Sequence, residues 1–236
     1  MTAPKAARAR ARPSRTRQGA ARPGPGLRSP AAVAAPASPL PAPGLRLHAV
    51  DGARKYLTAA ERAAFLRAAE QADRETSTLC MTLTYAGCRM AEALALTADR
   101  IDLAAGVLVI ESLKKRQAGI CRAVPVPPAL LDALDLVHRL REHQARRGKW
   151  RGIKLLPWSR MTGWRMVHAV MEEAGLSGPH ASPKGLRHGF GVAAVSAGIP
   201  LNLLQKWLGH AHLSTTAIYA NATGTEERDI AKRMWG

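Results

Sequence analysis

Cysteine is scarce in this 236-residue chain, and its placement excludes a disulfide framework. Cys80, Cys88 and Cys121 are odd in number and scattered, and none forms a C-x-x-C pair. That usage suits a reducing, cytoplasmic setting. Aromatic residues make up only 4% of the chain, so a core must be assembled from Ala, Leu, Val and Ile. No apolar run approaches the roughly 18 residues that a spanning helix needs, and no membrane partner is expected. Acidic residues are the third shortage. Seventeen Asp and Glu face 35 Lys and Arg, for a net charge of +18, and between Glu173 and Glu226 there is no acid at all. His180, His188, His210 and His212 fall in that stretch, but without carboxylates they lack the ligand set of a metal nuclease. Neither a metal nor another cofactor is expected.

What the chain does have is positive charge and a hydrophobic content of 47%, enough to bury a real core. A basic excess of this size favours a polyanionic partner, with double-stranded DNA first. Residues 1–47 stand apart. They hold nine of the 16 prolines, nine basic residues and no acid, with no apolar periodicity. They read as a disordered cationic tail, and residues 48–236 as the folded part.

The folded part reads as mainly α with a small antiparallel sheet. Thr58 and Glu61 form a capping box that opens a helix to about residue 71. Further helices are expected at about 76–86, 89–96, 127–145, 160–175, 184–197, 200–208, 213–220 and 225–235. Short alternating runs at 100–103, 107–112 and 120–126 read as three strands. The last two flank a basic turn that carries Lys114, Lys115 and Arg116.

The strongest pattern lies near the C-terminus. It runs Lys184, Arg187 and His188, then Leu208-Gly209-His210, then Tyr219, one of only three tyrosines. Cations gathered around one phenol suit attack on a phosphodiester, with guanidinium groups holding the phosphate and the phenol oxygen as nucleophile. Arg89 and Arg187 can bracket the charge of a pentacoordinate phosphorane, since each fork matches two phosphate oxygens. Glu92, three residues after Arg89, is placed to orient that guanidinium. Gly209 is a natural left-handed cap that puts His210 on a turn, and Ser214 or Thr215 opens the short helix before Tyr219. Each residue has a plainer reading alone: a solvated Arg89, a buried core Tyr219, a helix-capping His210. Residues 203–220 also have the outline of a helix-turn-helix DNA reader, which explains the basicity but leaves Arg89, Lys184 and Arg187 idle.

Taken together, these segments resemble the tyrosine recombinase, or phage integrase, family. Residues 87–96, Gly-Cys-Arg-Met-Ala-Glu-Ala-Leu-Ala-Leu, are similar to its first arginine box. Lys184 to His188, with the Leu-Gly-His triplet and Tyr219, is similar to its second. The resemblance covers about residues 55–235, the family's catalytic domain. It implies site-specific strand exchange through a 3′-phosphotyrosyl link, without metal or ATP, in a tetramer on DNA tied by C-terminal exchange. It also implies a gene of phage or other mobile origin and a nucleoid-associated bacterial protein. The implied catalytic set is Arg89, Lys114, Lys184, Arg187, His210 and Tyr219. Lys115, Arg116 and His188 are expected against DNA, and Glu92 in support. Lys114 sits where the family has a catalytic lysine, with Lys115 close behind. Histidine is usual at the position of Lys184. An ordinary lysine, with a pKa near ~10.4, does not accept a proton at neutral pH, so the general base stays open.

The family usually carries a helical core-binding domain before the catalytic one, and residues 1–47 are too few and of the wrong composition for it. A basic tail in its place, weak DNA binding, or a partner protein that supplies the missing half are the three expectations. Rival functions with the same residues are relaxation of DNA in the manner of a type IB topoisomerase, and non-catalytic binding as a regulator.

Overall fold

The computed structural model describes residues 46–113, 119–146 and 152–220, together with Lys232 and Trp235. Apart from these, the expected tail, the basic turn with Lys114, Lys115 and Arg116, and the helix over 225–235 lie outside the described residues.

Helix α1, Ala59–Gln71, starts at the expected capping box: the Thr58 hydroxyl accepts from the Glu61 N–H, and the Glu61 carboxylate from the Thr58 N–H. Helix α2, Arg74–Ala86, begins two residues earlier than expected because the Asp73 carboxylate caps it, accepting from the Thr76 N–H at 2.9 Å. It is the central helix, packed against α1 and against four later helices, and it ends at Gly87 in the left-handed conformation. The helix expected over 89–96 is one turn, α3, Met90–Ala93. The chain then tightens, with the Ala95 N–H on the Glu92 carbonyl and the Leu96 N–H on that of Ala93.

The sheet follows as expected. β1 (Ile101–Asp102), β2 (Val107–Glu111) and β3 (Cys121–Pro125) pair antiparallel in that order. The register sets Leu108 opposite Val124 and Ile110 opposite Arg122, and all four point inward.

The helix expected over 127–145 is two: α4, Pro128–His138, and α5, Leu140–Ala145. Arg139 breaks it at φ 53°. The Asp135 carboxylate then accepts from the backbone and guanidinium of Arg141, capping the second helix instead of prolonging the first. Helices α6 (Arg160–Glu173), α7 (Pro183–Ser196) and α8 (Leu201–Leu208) match expectation to within two residues at each end. Helix α9, Leu213–Ala217, is shorter than expected and starts after His212 rather than at Ser214 or Thr215, so Tyr219 lies just past its end.

Two apolar clusters result. The larger joins α1–α6, the sheet and the start of α7 around Phe65, Leu83, Ile110 and Met171. The smaller is formed by Leu47 and Tyr56, with Val192, Leu204, Leu208, Ile218 and Tyr219. No helix among the described residues is long and apolar enough to cross a membrane.

Candidate active site around Tyr219

A cavity of about 470 Å³ opens where α3, α7, the α8–α9 turn and the end of β2 meet. Arg89, Glu92, Lys184, Arg187, His188, His210 and Tyr219 all line it. These are seven of the ten residues singled out from sequence; Lys114, Lys115 and Arg116 lie outside the described residues. Leu113, just before them, is on the cavity wall, as are Arg160 and Thr215, which sequence reasoning did not select.

Arg89 is the residue before α3, and its guanidinium meets Glu92 Oε1 at 2.8 Å. The Arg89 N–H donates to the other oxygen, Oε2, at 3.0 Å. Glu92 is itself buried, and its second oxygen also takes the Arg122 guanidinium at 2.6 Å. Burial disfavours the Glu92 charge, but the hydrogen bond and the positive charge of Arg122, with the contacts from Arg89, hold its carboxyl below the usual range. Sequence reasoning found Glu92 and missed Arg122. The available signal was the alternation of β3, in which Arg122 shares the inward face with Val124. A cation in an inward slot needs a partner, and Arg122 has three: Glu92, the Ser112 hydroxyl at 3.1 Å and the Trp207 carbonyl at 2.6 Å.

Arg187 is 8% exposed, in the second turn of α7. It donates to the Gly87 carbonyl at 2.8 Å and the Leu208 carbonyl at 2.7 Å, the ends of two helices. Those carbonyls are unsatisfied within their helices, so the guanidinium closes both while keeping donors for a ligand. Burial, with Arg89 alongside, brings its pKa down to about 10.

Gly209 ends α8 at φ 67°, the expected left-handed cap, and delivers His210 to the cavity. His210 Nδ1 pairs with the Thr216 hydroxyl at 2.9 Å. Burial, then the charges of Arg187 and Arg89, push its pKa down to about 3, so the ring is neutral at neutral pH.

Tyr219 reaches the cavity yet is only 1% exposed. Its ring lies against Gly191, where an added Cβ would fall 2.5 Å from ring carbons. Its hydroxyl pairs with His188 Nδ1 at 3.1 Å. Burial raises the phenol to about 12, against the opposing pull of Arg187 and Arg89. His188, expected against DNA, is buried and turned toward Tyr219. Lys184 is exposed on the first turn of α7. The cavity therefore offers four cations, Arg89, Arg160, Lys184 and Arg187, against the single carboxylate of Glu92 among its described lining residues. It is built to hold an anion next to a phenol. No group of His, Cys, Asp and Glu among the described residues is arranged to hold a metal ion.

The model of the phage integrase family matches residues 55–226, a span that contains every residue lining the cavity. The chain belongs to the phage integrase family. Curated relatives include the tyrosine recombinase XerD of Mycobacterium tuberculosis, 33% identical over 153 residues, which make up 61% of this chain and 47% of that protein. The tyrosine recombinase XerA of Pyrococcus furiosus is 30% identical over 170 residues, 68% of this chain and 55% of that one. The chain thus spans about half the length of these curated relatives. Among solved structures, XerA recombinase superposes with a TM-score of 0.63 at 24% identity, over 77% of this chain and 65% of that chain. XerH site-specific recombinase, bound to its difH substrate before cleavage, gives 0.60 at 21% identity, over 77% and 55%. At these identities the likeness is one of fold.

Proposed function

We propose that this chain is a site-specific DNA recombinase that cuts and rejoins strands through a 3′-phosphotyrosyl link to Tyr219. The observation that carries the reading is the convergence of Arg89, Arg187, His210 and Tyr219, from three separate regions of the chain, on one cationic cavity. Support also comes from the relatives, named tyrosine recombinases, and from the XerH complexes before and after cleavage of their DNA.

In this reading the scissile phosphate enters the cavity as the anion its cations await. Arg89, fixed by Glu92, and Arg187, fixed by two carbonyls, hold its non-bridging oxygens. Both guanidinium groups are oriented before substrate arrives, so little reorganisation is needed as charge grows on phosphorus. His210 is neutral, and its Nδ1 is occupied by Thr216, which leaves Nε2 to donate to a phosphate oxygen. Lys184 adds charge at the rim as an electrostatic clamp. Tyr219 Oη attacks phosphorus, and the 5′ oxygen departs with a proton from Lys114, or from Lys115 next to it. The link conserves the energy of the phosphodiester, so the 5′-hydroxyl of a partner strand can reverse the step without metal or ATP. Double-stranded DNA is the substrate, a tetramer the working assembly, and the basic tail or a partner protein completes the grip on the duplex.

The test is incubation with a nicked duplex carrying the DNA that flanks the gene, followed by a denaturing gel. A covalent band is expected, absent in Tyr219→Phe although that variant still folds and binds. An adduct mapped by mass spectrometry to Tyr56 or Tyr85 would defeat the assignment. Relaxation of supercoiled DNA without any site requirement would favour topoisomerase activity, and tight binding without an adduct a regulator.

A further inference from the structure

The phenol of Tyr219 must lose a proton to become a nucleophile, and the structure offers one neighbour for it. Among the described residues, the hydrogen-bond partner of Tyr219 Oη is His188 Nδ1, at 3.1 Å. Lys184, in the position where the family pattern has histidine, stands exposed on the first turn of α7.

His188 has the properties that Lys184 lacks. Its ring is buried against the tyrosine, with ring centroids 5.8 Å apart. A phenol O–H is the natural donor in this pair, so Nδ1 accepts and the ring proton sits on Nε2. Nε2 has no hydrogen-bond partner among the described residues. The charged and titratable groups around the ring are Lys184 and Arg187 on its own helix, Lys55 before α1, His210 after α8, and Tyr219 itself. Burial first, then the charges of Lys184, Arg187 and Lys55, push His188 down to about 4, which keeps it neutral at neutral pH. A phosphodiester held by Arg187 brings negative charge to the cavity and offsets part of that repulsion, so basicity rises when the substrate arrives.

We propose that His188 is the proton acceptor for Tyr219. As Oη bonds to phosphorus, its proton passes to Nδ1, and the ring becomes an imidazolium. The P–O5′ bond breaks, and the leaving oxygen takes a proton from a separate donor, so the protein gives up one proton to the DNA and the proton count of the protein–DNA complex is unchanged after cleavage. In rejoining, the 5′-hydroxyl returns its proton to that donor, and Oη leaves phosphorus carrying the proton held on Nδ1. This assignment rests on the recombinase reading and adds to it the base that the sequence left open.

The experiment is single-turnover formation of the covalent adduct on the nicked duplex, with wild type, His188→Asn and His188→Ala, from acid to mild alkali. Wild type forms the adduct, with a rate that falls at low pH as the ring becomes protonated. His188→Asn keeps a hydrogen-bond acceptor but no base. It should hold the wild-type melting temperature and DNA concentration dependence yet react ~10²-fold or more slowly, the usual cost of a lost general base. His188→Ala should react as slowly and recover with added imidazole, in proportion to the free-base form. Cleavage by either variant within a few-fold of wild type, or faster, would make His188 a latch on the tyrosine and overturn the proposal. So would a deficit that imidazole leaves untouched, or loss of DNA binding in both variants, which would assign His188 to the fold. Absence of an adduct with wild type would instead reject the recombinase reading itself, and the control reaction shows which has failed.

Discussion

At the scale of single residues, the two arginines of the cavity differ in how they are held. Arg89 is 28% exposed at its side chain and leans on one carboxylate, whereas Arg187 is enclosed and spans two helix ends. If both clamp one transition state, Arg89→Ala and Arg187→Ala should each cost ~3–4 kcal/mol in cleavage, by analogy with a lost oxyanion-hole donor. The double variant should be little worse than either single one, because groups that act as a unit are not additive. Single-turnover rates at saturating DNA measure this, and a strictly additive loss would mean the two act on different steps. Stability should separate the pair: Arg187→Ala leaves two helix-end carbonyls unpaired and should lower the unfolding midpoint in urea, with Arg89→Ala close to wild type. Which of these residues was legible in sequence has a physical pattern. Arg89, Glu92, Arg187, His210 and Tyr219 keep fixed local spacings. Arg122 escaped because its partners, Glu92 and the Trp207 carbonyl, lie 30 and 85 residues away. The burial of His188 escaped for the same reason, since its partner is 31 residues distant.

At the scale of elements, the start of α1 was legible in its Thr58–Glu61 capping box, whereas the Asp73 cap of α2 was overlooked and that helix starts two residues early. The break at Arg139, fixed by a left-handed residue and the Asp135–Arg141 contact, and the short α9 were not foreseen. The capping box of α1 also carries a pH dependence. Glu61 is held down to about 2 from its ordinary 4.5, chiefly by its hydrogen bond to Arg54 against the cost of burial, with Thr58 contributing. A carboxylate depressed on folding stabilises the native state above its unfolded value, and that contribution is lost as pH falls through the folded one. The melting temperature should therefore drop as pH falls from about 4.5 toward 2, and Glu61→Gln should flatten that part of the curve. A wild-type slope in the variant would place the acid sensitivity elsewhere. The contact between α7 and Tyr219 gives a second element-scale prediction. Gly191→Ala would force a methyl group into the phenol ring, so a loss of ~1–3 kcal/mol from overpacking is expected, with a displaced tyrosine and slower adduct formation. Denaturant unfolding and the cleavage assay read the two effects separately.

At the scale of the whole molecule, the net charge of +18 should appear in how DNA binding responds to salt. Each phosphate neutralised contributes about 0.9 to the slope of log K against log salt. Residues 1–47 carry nine of the basic groups and no acid, so deleting them should flatten that slope and weaken binding at low salt. Chemistry at Tyr219 on saturated substrate should survive, as should preference for the site. An unchanged slope would leave the tail no part in binding, and loss of site preference would make it an arm that reads a groove. The cross-links that build the cavity have another outcome. Arg187 reaches back 100 residues to Gly87, and Tyr219 settles in a cluster that begins at Leu47. Contacts of such long separation require large loops to close first, so they form late in folding. A chain still emerging from the ribosome can therefore have most of its helices and yet no Tyr219 seated beside Arg187. On the proposed reading, the capacity to break DNA arrives only when the fold is all but complete, which spares the genome from half-made copies of the protein.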